Sequence, residues 1–246
     1  MTPRIRFVTY NIRKGKGASG AGTGSVAALG GALAGHAPDL VLCQEVSYLE
    51  ARRLSQSDEL GAALGLAAYY EPNKRRRDGH HGNATFTRHA VSHVHNYDIS
   101  TNRLEGRGAL YVRLVIEGRP VHVINAHLSL GQRQRFTQVR RLAGILSQRV
   151  APTEAVLLAG DFNDWTGRLD RIIIEELGFV NALGHLPESE KLTWHARRPM
   201  FNLDRVYVRN LAPKEARRLH GEPWHELSDH LPLWVELEVG AASRAA

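Results

Sequence analysis

An apolar run that ends in a polar cluster constrains this chain more than any other feature. Residues 155–159, Ala-Val-Leu-Leu-Ala, are five consecutive apolar residues, which is typical of a strand buried on both faces. Residues 160–164, Gly-Asp-Phe-Asn-Asp, follow directly. A carboxylate buried at such a strand end needs a metal ion, a cation or hydrogen-bond donors. The alternative is a surface turn in which Asp161 and Asn163 cap their own backbone.

Other predicted strands end in the same kind of residue. An acid, an amide or a histidine lies close to the end of an apolar run at six further positions: Asn11, Glu45, His127, Asp204, Asp229 and His230. Each one alone has an ordinary explanation, such as a turn cap, an ion pair or a core histidine. Strand ends converge in sheet proteins and often host sites, so their joint placement favours one common site.

The order of the predicted elements indicates the fold class. Strands are predicted near residues 5–11, 40–45, 67–73, 82–88, 91–99, 107–117, 120–129, 155–161, 202–208 and 231–239, and helices near 25–36, 49–64, 133–150 and 168–178. Many strands with few helices predict an α+β fold of two packed sheets with helices outside. No composition break divides the chain, so we predict one domain over residues 1–246, with a core from about 5 to 240.

Composition limits the partners and the compartment. The net charge of +7 and the pI near 9.8 favour an anionic partner, which is a nucleic acid, an anionic membrane surface or a phosphorylated small molecule. The single cysteine, Cys43, excludes an internal disulfide and fits a reducing compartment. No signal-like start and no apolar stretch of about 18 residues is present. We therefore expect a cytoplasmic monomer without a transmembrane segment.

The residue types at the strand ends indicate a class of chemistry. Carboxylate and amide oxygens without a cysteine ligand favour Mg²⁺ or Mn²⁺ over a structural zinc ion. A histidine beside a carboxylate suits a positioned acid, base or hydrogen-bond donor. The sequence has neither a G-x-x-x-x-G-K-[ST] phosphate loop nor a G-x-S-x-G nucleophile motif. Metal-assisted attack of water on phosphorus is the chemistry that remains.

Six short motifs resemble, in order, those of the endonuclease/exonuclease/phosphatase superfamily. They are Thr-Tyr-Asn-Ile at 9–12, Gln-Glu-Val at 44–46, Asn-Ala-His-Leu at 125–128, Gly-Asp-Phe-Asn at 160–163, Leu-Asp-Arg-Val at 203–206 and Ser-Asp-His at 228–230. The superfamily includes deoxyribonucleases, abasic-site endonucleases, neutral sphingomyelinases and inositol-polyphosphate 5-phosphatases. The resemblance implies a four-layer α/β/β/α sandwich of two mostly antiparallel sheets, with the site at one edge.

The resemblance also implies a metal region. Glu45 resembles the principal metal ligand of the family, and Asn11 and Asp229 resemble the residues that assist it. The implied cofactor is Mg²⁺ or Mn²⁺. Whether one or two ions take part stays open.

Five further residues match catalytic positions of the family. Asp161 resembles the residue that orients or deprotonates the attacking water, and Asn163 the one that holds Asp161 and a phosphate oxygen. His230 and His127 resemble the two histidines that contact the scissile phosphate, and Asp204 the acid that fixes His230. Nothing in this scheme requires Asp164, which we expect to lie behind the site or in solvent.

Several basic and polar residues are candidates for substrate contact. Residues 74–77, Lys-Arg-Arg-Arg, are predicted to lie in a loop between two strands, shortly before Asn83. Such a run is either a solvated loop or a phosphate contact. Arg107 at a strand start offers a bidentate phosphate contact or a plain salt bridge. Trp194 with Arg198 suits stacking on a base, a place at a lipid headgroup, or, for the tryptophan, simple core packing.

We therefore predict a divalent-metal-dependent phosphodiesterase acting on a nucleic acid or a phospholipid-type diester. A phosphomonoesterase and a non-catalytic anion-binding module are the alternatives. The sequence before Asp204, Met-Phe-Asn-Leu at 200–203, departs from the Pro-Ala-Trp of inositol 5-phosphatases, which disfavours an inositol substrate. The Thr-Trp segment at 193–199 is similar to that of a short bacterial branch of the superfamily.

Overall fold

The computed structural model describes residues 2–20, 25–50 and 54–240. Thirteen strands lie in that part of the chain: β1 Arg4–Asn11, β2 Leu40–Leu49, β3 Leu54–Ser55, β4 Ala67–Arg76, β5 Gly79–Thr87, β6 Ala90–Asp98, β7 Gly108–Ile116, β8 Arg119–His127, β9 Ala155–Asp161, β10 Val180–Asn181, β11 Asp204–Arg209, β12 Leu211–Arg218 and β13 Leu233–Val239. The α-helices are α1 Val26–Ala34, α2 Gln56–Leu64, α3 Gln132–Arg149, α4 Glu188–Lys191 and α5 Trp224–Leu227. None of these helices is long and apolar enough to cross a bilayer.

The strands form two sheets with the same pattern of directions. The first has the order β12-β13-β1-β2-β5-β4, with the short β3 paired to the far end of β2. The second has the order β10-β11-β9-β8-β7-β6. Each contains one parallel pair at its centre, β1 with β2 and β8 with β9, and the other pairs of the described strands are antiparallel. The predicted pair of mostly antiparallel sheets is confirmed.

Three apolar clusters make this a four-layer sandwich. The largest lies between the two sheets, a second lies beneath α1 and α2, and a third lies beneath α3. Strand β9 takes part in two of them, since Leu157 and Ala159 face the other sheet while Val156 and Leu158 face α3. The uninterrupted apolar run of this strand is therefore a consequence of burial on both faces.

Buried side-chain amides connect the two sheets close to the site. Asn125 on β8 donates its Nδ2 to the carbonyls of Cys43 and Ala84 at 3.1 and 2.9 Å, and its Oδ1 accepts from Gln44 Nε2 at 2.8 Å. Asn83 on β5 donates to the carbonyls of Gly108 and Asn125 at 3.1 and 3.0 Å. These bonds cross the interface between the sheets, so they fix how one sheet sits on the other.

Some predicted boundaries are wrong. The predicted helix over 49–64 begins only at Gln56, because β2 continues to Leu49 and the Ser55 hydroxyl accepts from the Asp58 amide at 3.2 Å to cap the helix. Residues 51–53 of that prediction lie outside the described residues. The helix predicted over 168–178 is a π-helical segment, Arg171–Glu176.

The basic run at 74–77 is also placed differently from the prediction. It is not a loop, because β4 extends to Arg76 and pairs with β5 as far as Gly79. Strand β12 was not predicted. It carries Pro213 and four charged residues on the edge of its sheet, where a missing amide and charged side chains are tolerated. Its sequence therefore lacks the apolar alternation of a half-buried strand.

Replacing Asn125 by alanine tests the amide connection between the sheets. Asn125→Ala removes three buried hydrogen bonds, one from Gln44 Nε2 and two to the carbonyls of Cys43 and Ala84, so we expect a loss of about 3 kcal/mol in the free energy of unfolding. Urea unfolding followed by circular dichroism measures it. Asn102→Ala, at an exposed asparagine in a loop, serves as the control and should cost under about 1 kcal/mol. Equal losses in the two variants would contradict the assignment.

Candidate active site

Strand register brings three of the predicted residues together. In the parallel pair β8–β9, His127 lies beside Asp161 at the carboxyl ends of both strands. In the antiparallel pair β11–β9, Asp204 lies opposite Asp161. A side chain from the other sheet, Asn11 at the end of β1, reaches the same carboxylate. The site therefore lies at the edge of the sandwich where both parallel pairs end.

Asp161 is at the centre of this group and is almost completely buried, with 1% of its surface exposed. Its Oδ2 accepts from Asn11 Nδ2 at 2.9 Å and faces His127 Nε2 at 3.4 Å and His230 Nε2 at 3.8 Å. Its Oδ1 accepts from the Asn163 amide at 2.9 Å. This last hydrogen bond is the one expected if Asp161 only capped a surface turn, but the turn lies inside the protein and not on its surface.

Gly160 allows this close arrangement. A Cβ at this position would lie 2.0 Å from the carbonyl oxygen of Ala126 on the neighbouring strand. Its φ of +139° is also a conformation that other residues rarely adopt. Glycine is thus required for β9 to approach β8 immediately before Asp161.

Asp204 and His230 form a buried pair. Asp204 Oδ2 lies 2.8 Å from His230 Nδ1, and the Asp204 amide donates to Thr193 Oγ1 at 3.2 Å. Burial opposes protonation of His230, but the carboxylates of Asp204 and Asp161 outweigh it and raise the pKa of His230 to about 10. His230 is therefore an imidazolium at neutral pH, held by Asp204 and directed with its Nε2 toward Asp161.

His127 differs from His230 in charge. Burial and the nearby cation of Arg107 lower the pKa of His127 to about 4, so its imidazole is neutral at pH 7.

Asn163 completes this side of the site, with its Nδ2 donating to the carbonyl of Leu128 at 3.0 Å. The backbone of Asn163 has a φ of +48°, which asparagine tolerates better than most residues.

Glu45 lies at an irregularity of β2, where its pairing with β5 shifts between Cys43 and Val46. Its backbone is left-handed, with a φ of +56°, and its carboxylate forms an ion pair with Lys14. Burial disfavours the charged carboxylate, but His127 and Lys14 outweigh burial and lower the pKa of Glu45 to about 2. Glu45 is therefore a carboxylate with a cation already beside it.

Asp229 and Asn11 are linked through the segment after β1. Asp229 Oδ2 lies 3.2 Å from Arg13 Nε, and Asn11 Oδ1 accepts from the Arg13 amide at 3.0 Å. Ser228 joins them, since its hydroxyl donates to the Asn11 carbonyl at 2.7 Å. Sequence reasoning missed Arg13 and Lys14, which no local pattern marks because their acidic partners are distant in the chain. Thr193 lies in the noted Thr-Trp segment, but its bond to the Asp204 amide was not predicted.

The donor set can be tested for its fit to a divalent cation. Ligand atoms of Asp161, Asp204 and His230 lie within 4.8 Å of one another. His230 uses its Nδ1 on Asp204 Oδ2, which leaves only its Nε2 for a metal ion. Glu45 fits better, because it is an ionised hard-oxygen donor against which the structure already places an ammonium group. The site thus has a place suited to a cation at Glu45.

The four residues predicted to contact the substrate differ in their burial and in their partners. Asn83 is 1% exposed and its amide is used between the sheets, which argues against direct contact with substrate. Arg107 pairs with Glu105 at 2.7 Å and is close enough to affect His127. Trp194 pairs through its backbone with His230. Arg198 is exposed.

An aromatic group surrounds Trp194 next to the site. The ring centroid of Trp194 lies 5.4 Å from that of Trp165 and 6.0 Å from that of Phe201. Trp165 is 38% exposed, so the group presents a ring to solvent. Trp194 itself is half-buried, which is intermediate between the core and surface alternatives.

Asp164 is not in solvent. It is buried, and its Oδ2 accepts from the Leu169 amide at 2.8 Å while its Oδ1 accepts from the Thr166 amide at 3.3 Å. Arg135 lies 3.9 Å away. Asp164 therefore stabilises the turn that carries Asp161 and Asn163.

Several known proteins are similar to this chain. A protein from Escherichia coli strain K12, described as uncharacterized protein YbhP, is 34% identical over 172 residues, which are 69% of this chain and 68% of that protein. The crystal structure of an endonuclease/exonuclease/phosphatase from Beutenbergia cavernae matches with a TM-score of 0.81 at 19% identity, covering 99% of this chain and 73% of that one. The crystal structure of D. rerio TDP2 with a single-strand DNA product matches with a TM-score of 0.75 at 16% identity, covering 96% and 99%.

The family is shown by a match along most of the sequence. Residues 8–230 match the Endonuclease/Exonuclease/phosphatase family, whose members hydrolyse phosphoester bonds and typically depend on divalent metal ions. That range contains every residue of the candidate site, from Asn11 to His230. With two packed sheets and a site at the edge where their parallel pairs end, the chain belongs to the endonuclease/exonuclease/phosphatase family.

Proposed function

We propose that this protein hydrolyses a phosphodiester by divalent-metal-assisted attack of water. The observation that carries the proposal is the arrangement around Asp161, whose Oδ2 faces an amide and two histidines at 2.9, 3.4 and 3.8 Å. A buried carboxylate with donors on several sides is poised to orient or deprotonate a water molecule. The basic net charge of +7 supports an anionic substrate.

Glu45 is the principal residue that would hold Mg²⁺ or Mn²⁺, with Asn11 and Asp229 beside it. The ion would supply positive charge to the phosphate oxygens during attack. Lys14 and Arg13 now balance the charges of Glu45 and Asp229. The ion pair with Lys14 helps to hold Glu45 as a carboxylate, which is the state that a hard cation requires.

The remaining residues act on water and phosphate. Asp161 orients the water, and Asn163 holds Asp161 through its amide while its side chain lies beside the phosphate. His230, as an imidazolium, donates through Nε2 to a phosphate oxygen, and Asp204 keeps it charged and oriented. His127 contacts the phosphate from the other side. Negative charge grows on phosphorus oxygens during attack, so these donors stabilise the transition state more than the substrate.

The substrate class is a nucleic acid or a phospholipid-type diester. Arg107 lies near His127, and Trp194, whose backbone pairs with that of His230, and the exposed Arg198 are the candidates for contact with a base or a headgroup. A phosphomonoester is the alternative within the same chemistry. An anion-binding module without activity is the alternative outside it, but every candidate catalytic position is filled, which favours an enzyme.

We also propose that the protein acts as a single-domain cytoplasmic monomer. One apolar cluster connects strands from both ends of the chain, from Ile5 on β1 to Val239 on β13, which supports a single domain. Size-exclusion chromatography with light scattering and cell fractionation test the other two parts.

Substitution of site residues tests the proposed mechanism. Asp161→Ala, His230→Ala and Glu45→Ala should each lower kcat/KM by about 1,000-fold, since each removes a group that acts on water, phosphate or metal. The measurement is a panel of nicked plasmid, abasic duplex, bis-p-nitrophenyl phosphate, phospholipids and phosphorylated inositols with Mg²⁺ or Mn²⁺. His220→Ala, at an exposed histidine, is the control. Full activity in all three site variants at saturating metal would overturn the proposal.

Removal of the metal should abolish hydrolysis reversibly. Treatment with EDTA should stop cleavage of bis-p-nitrophenyl phosphate, and added Mg²⁺ or Mn²⁺ should restore it. Glu45→Gln, which lacks the charge but keeps the size, should need about tenfold more metal for half-maximal activity. Activity that survives EDTA, or an unchanged metal requirement in Glu45→Gln, would contradict the assigned role.

Asp204→Asn should lower the pKa of His230, because it removes the carboxylate bonded to Nδ1. Proton NMR titration of the metal-free protein measures this pKa, which is about 10 in the wild type. The folded-state pKa is raised, so the pair stabilises the protein fully below about pH 6.5 and loses this contribution as the pH rises toward 10. The difference in unfolding free energy between wild type and variant should therefore shrink over that range. Asp58→Asn, at an exposed acid, should leave the pKa unchanged.

A further inference from the structure

A cavity of about 290 Å³ adjoins the candidate site on the side of Glu45. Its wall is formed by the turn after β1, the end of β2 and the β4–β5 hairpin. Lys14 belongs to both places, since it lines the cavity and forms the ion pair with Glu45. The cavity therefore shares Lys14 with the surroundings of Glu45, and its volume is near the lower end of the range for ligand pockets, about 300 Å³.

The charge of the wall is mainly positive. Lys14, Lys16 and Arg76 line the cavity, and Asp78 is the one carboxylate among the lining residues. Lys16 and Arg76 are exposed, and within the described part of the chain neither side chain has a hydrogen-bond or ion-pair partner. The cavity is therefore lined by these two cations and by Lys14, the cation that pairs with Glu45.

His81 also lines the cavity. Burial and then the cation of Lys14 lower the pKa of His81 to about 4, Glu45 opposes this shift, and Arg76 makes a smaller contribution that lowers the pKa. The neighbouring His80 is fixed by Tyr70, whose hydroxyl lies 2.8 Å from His80 Nδ1, and it stacks on Tyr48 with ring centroids 4.9 Å apart. The wall is therefore rigid and electropositive.

The close approach of the hairpin to β2 forms this wall. A Cβ at Gly79 would lie 2.0 Å from the Tyr48 carbonyl oxygen, so only glycine lets the tip of the hairpin reach the end of β2. This contact brings Arg76 to the cavity. The other members of the basic run are placed elsewhere, since Lys74 Nζ donates to the Leu104 carbonyl at 2.8 Å and Arg75 and Arg77 do not line the cavity.

We propose that this cavity binds a second phosphate group of the substrate, adjacent to the ester that is cleaved, through Arg76 and Lys16 with Lys14 at its inner end. The proposal rests on the proposed phosphoester hydrolysis at Asp161 and extends it to the part of the substrate that determines specificity. Arg76 offers a planar set of donors suited to phosphate oxygens. A second phosphate can come from the next nucleotide of a nucleic acid or from a phosphorylated lipid headgroup, and the cavity recognises the chemistry that both share.

Two matched pairs of p-nitrophenyl diesters test this subsite with Mg²⁺ or Mn²⁺ present. One pair is built on thymidine, with and without a 3′ phosphate, and the other on glycerol, with and without a terminal phosphate. In the wild type the added phosphate should raise kcat/KM by about tenfold in at least one pair. An advantage in the thymidine pair alone assigns a nucleotide, and an advantage in the glycerol pair alone assigns a headgroup.

Substitutions then test whether the residues of the cavity cause this advantage. Arg76→Gln and Lys16→Gln should remove the advantage while leaving hydrolysis of the unphosphorylated esters unchanged. Arg75→Gln, in the same basic run and equally exposed, is the matched control and should keep it. No advantage in either pair, or an equal loss in Arg75→Gln, would overturn the subsite while the proposed hydrolysis stands.

A binding measurement separates failure of the subsite from failure of the hydrolysis. Inorganic phosphate added to the metal-free protein should raise the pKa of His81, because an anion in the cavity stabilises the imidazolium. Proton NMR follows the His81 signal, which is identified by its absence in His81→Gln. Arg76→Gln should reduce the shift severalfold. Lack of hydrolysis of every ester counts against the proposed function, whereas a His81 pKa that phosphate leaves unchanged counts against the subsite itself.

Discussion

One oxygen atom, Oδ2 of Asp161, connects the folding of this protein to its chemistry. A buried carboxylate is costly unless donors surround it, and here the donors come from three distant segments. Asn11 comes from one sheet, His127 from the other, and His230 from the segment before the last strand. The site therefore forms only when both sheets have the correct register and are packed on each other.

Register is fixed by more than the apolar core. A slip of one residue would exchange the two faces of a strand, and in β9 both faces are apolar, so hydrophobic burial alone distinguishes the alternatives poorly. The buried amides of Gln44, Asn83 and Asn125 have definite partners across the interface. Because an unpaired buried amide is costly, these bonds specify one packing of the sheets, and this packing also aligns Asn11 with Asp161.

The sequence is most informative where the determinants are local. The bounds of β9 follow from an unbroken apolar run with a glycine at its end, and the site residues stand out because each lies beside a strand end. The ion pairs of Glu45 with Lys14 and of Asp229 with Arg13 could not be predicted, since they join residues 31 or more positions apart through a turn with left-handed backbone. The place of Asn83 could not be predicted either, because its burial depends on how the sheets stack.

Backbone conformation at the site shows a conflict between folding and chemistry. Seven non-glycine residues in the described part of the chain have a positive φ, and four of them, Arg13, Lys14, Glu45 and Asn163, lie in the site. Each such conformation costs roughly 1 kcal/mol or more relative to glycine. Glycine at Glu45 would relieve that cost and remove the carboxylate, so selection for stability alone would act against the residue that is proposed to hold the metal ion.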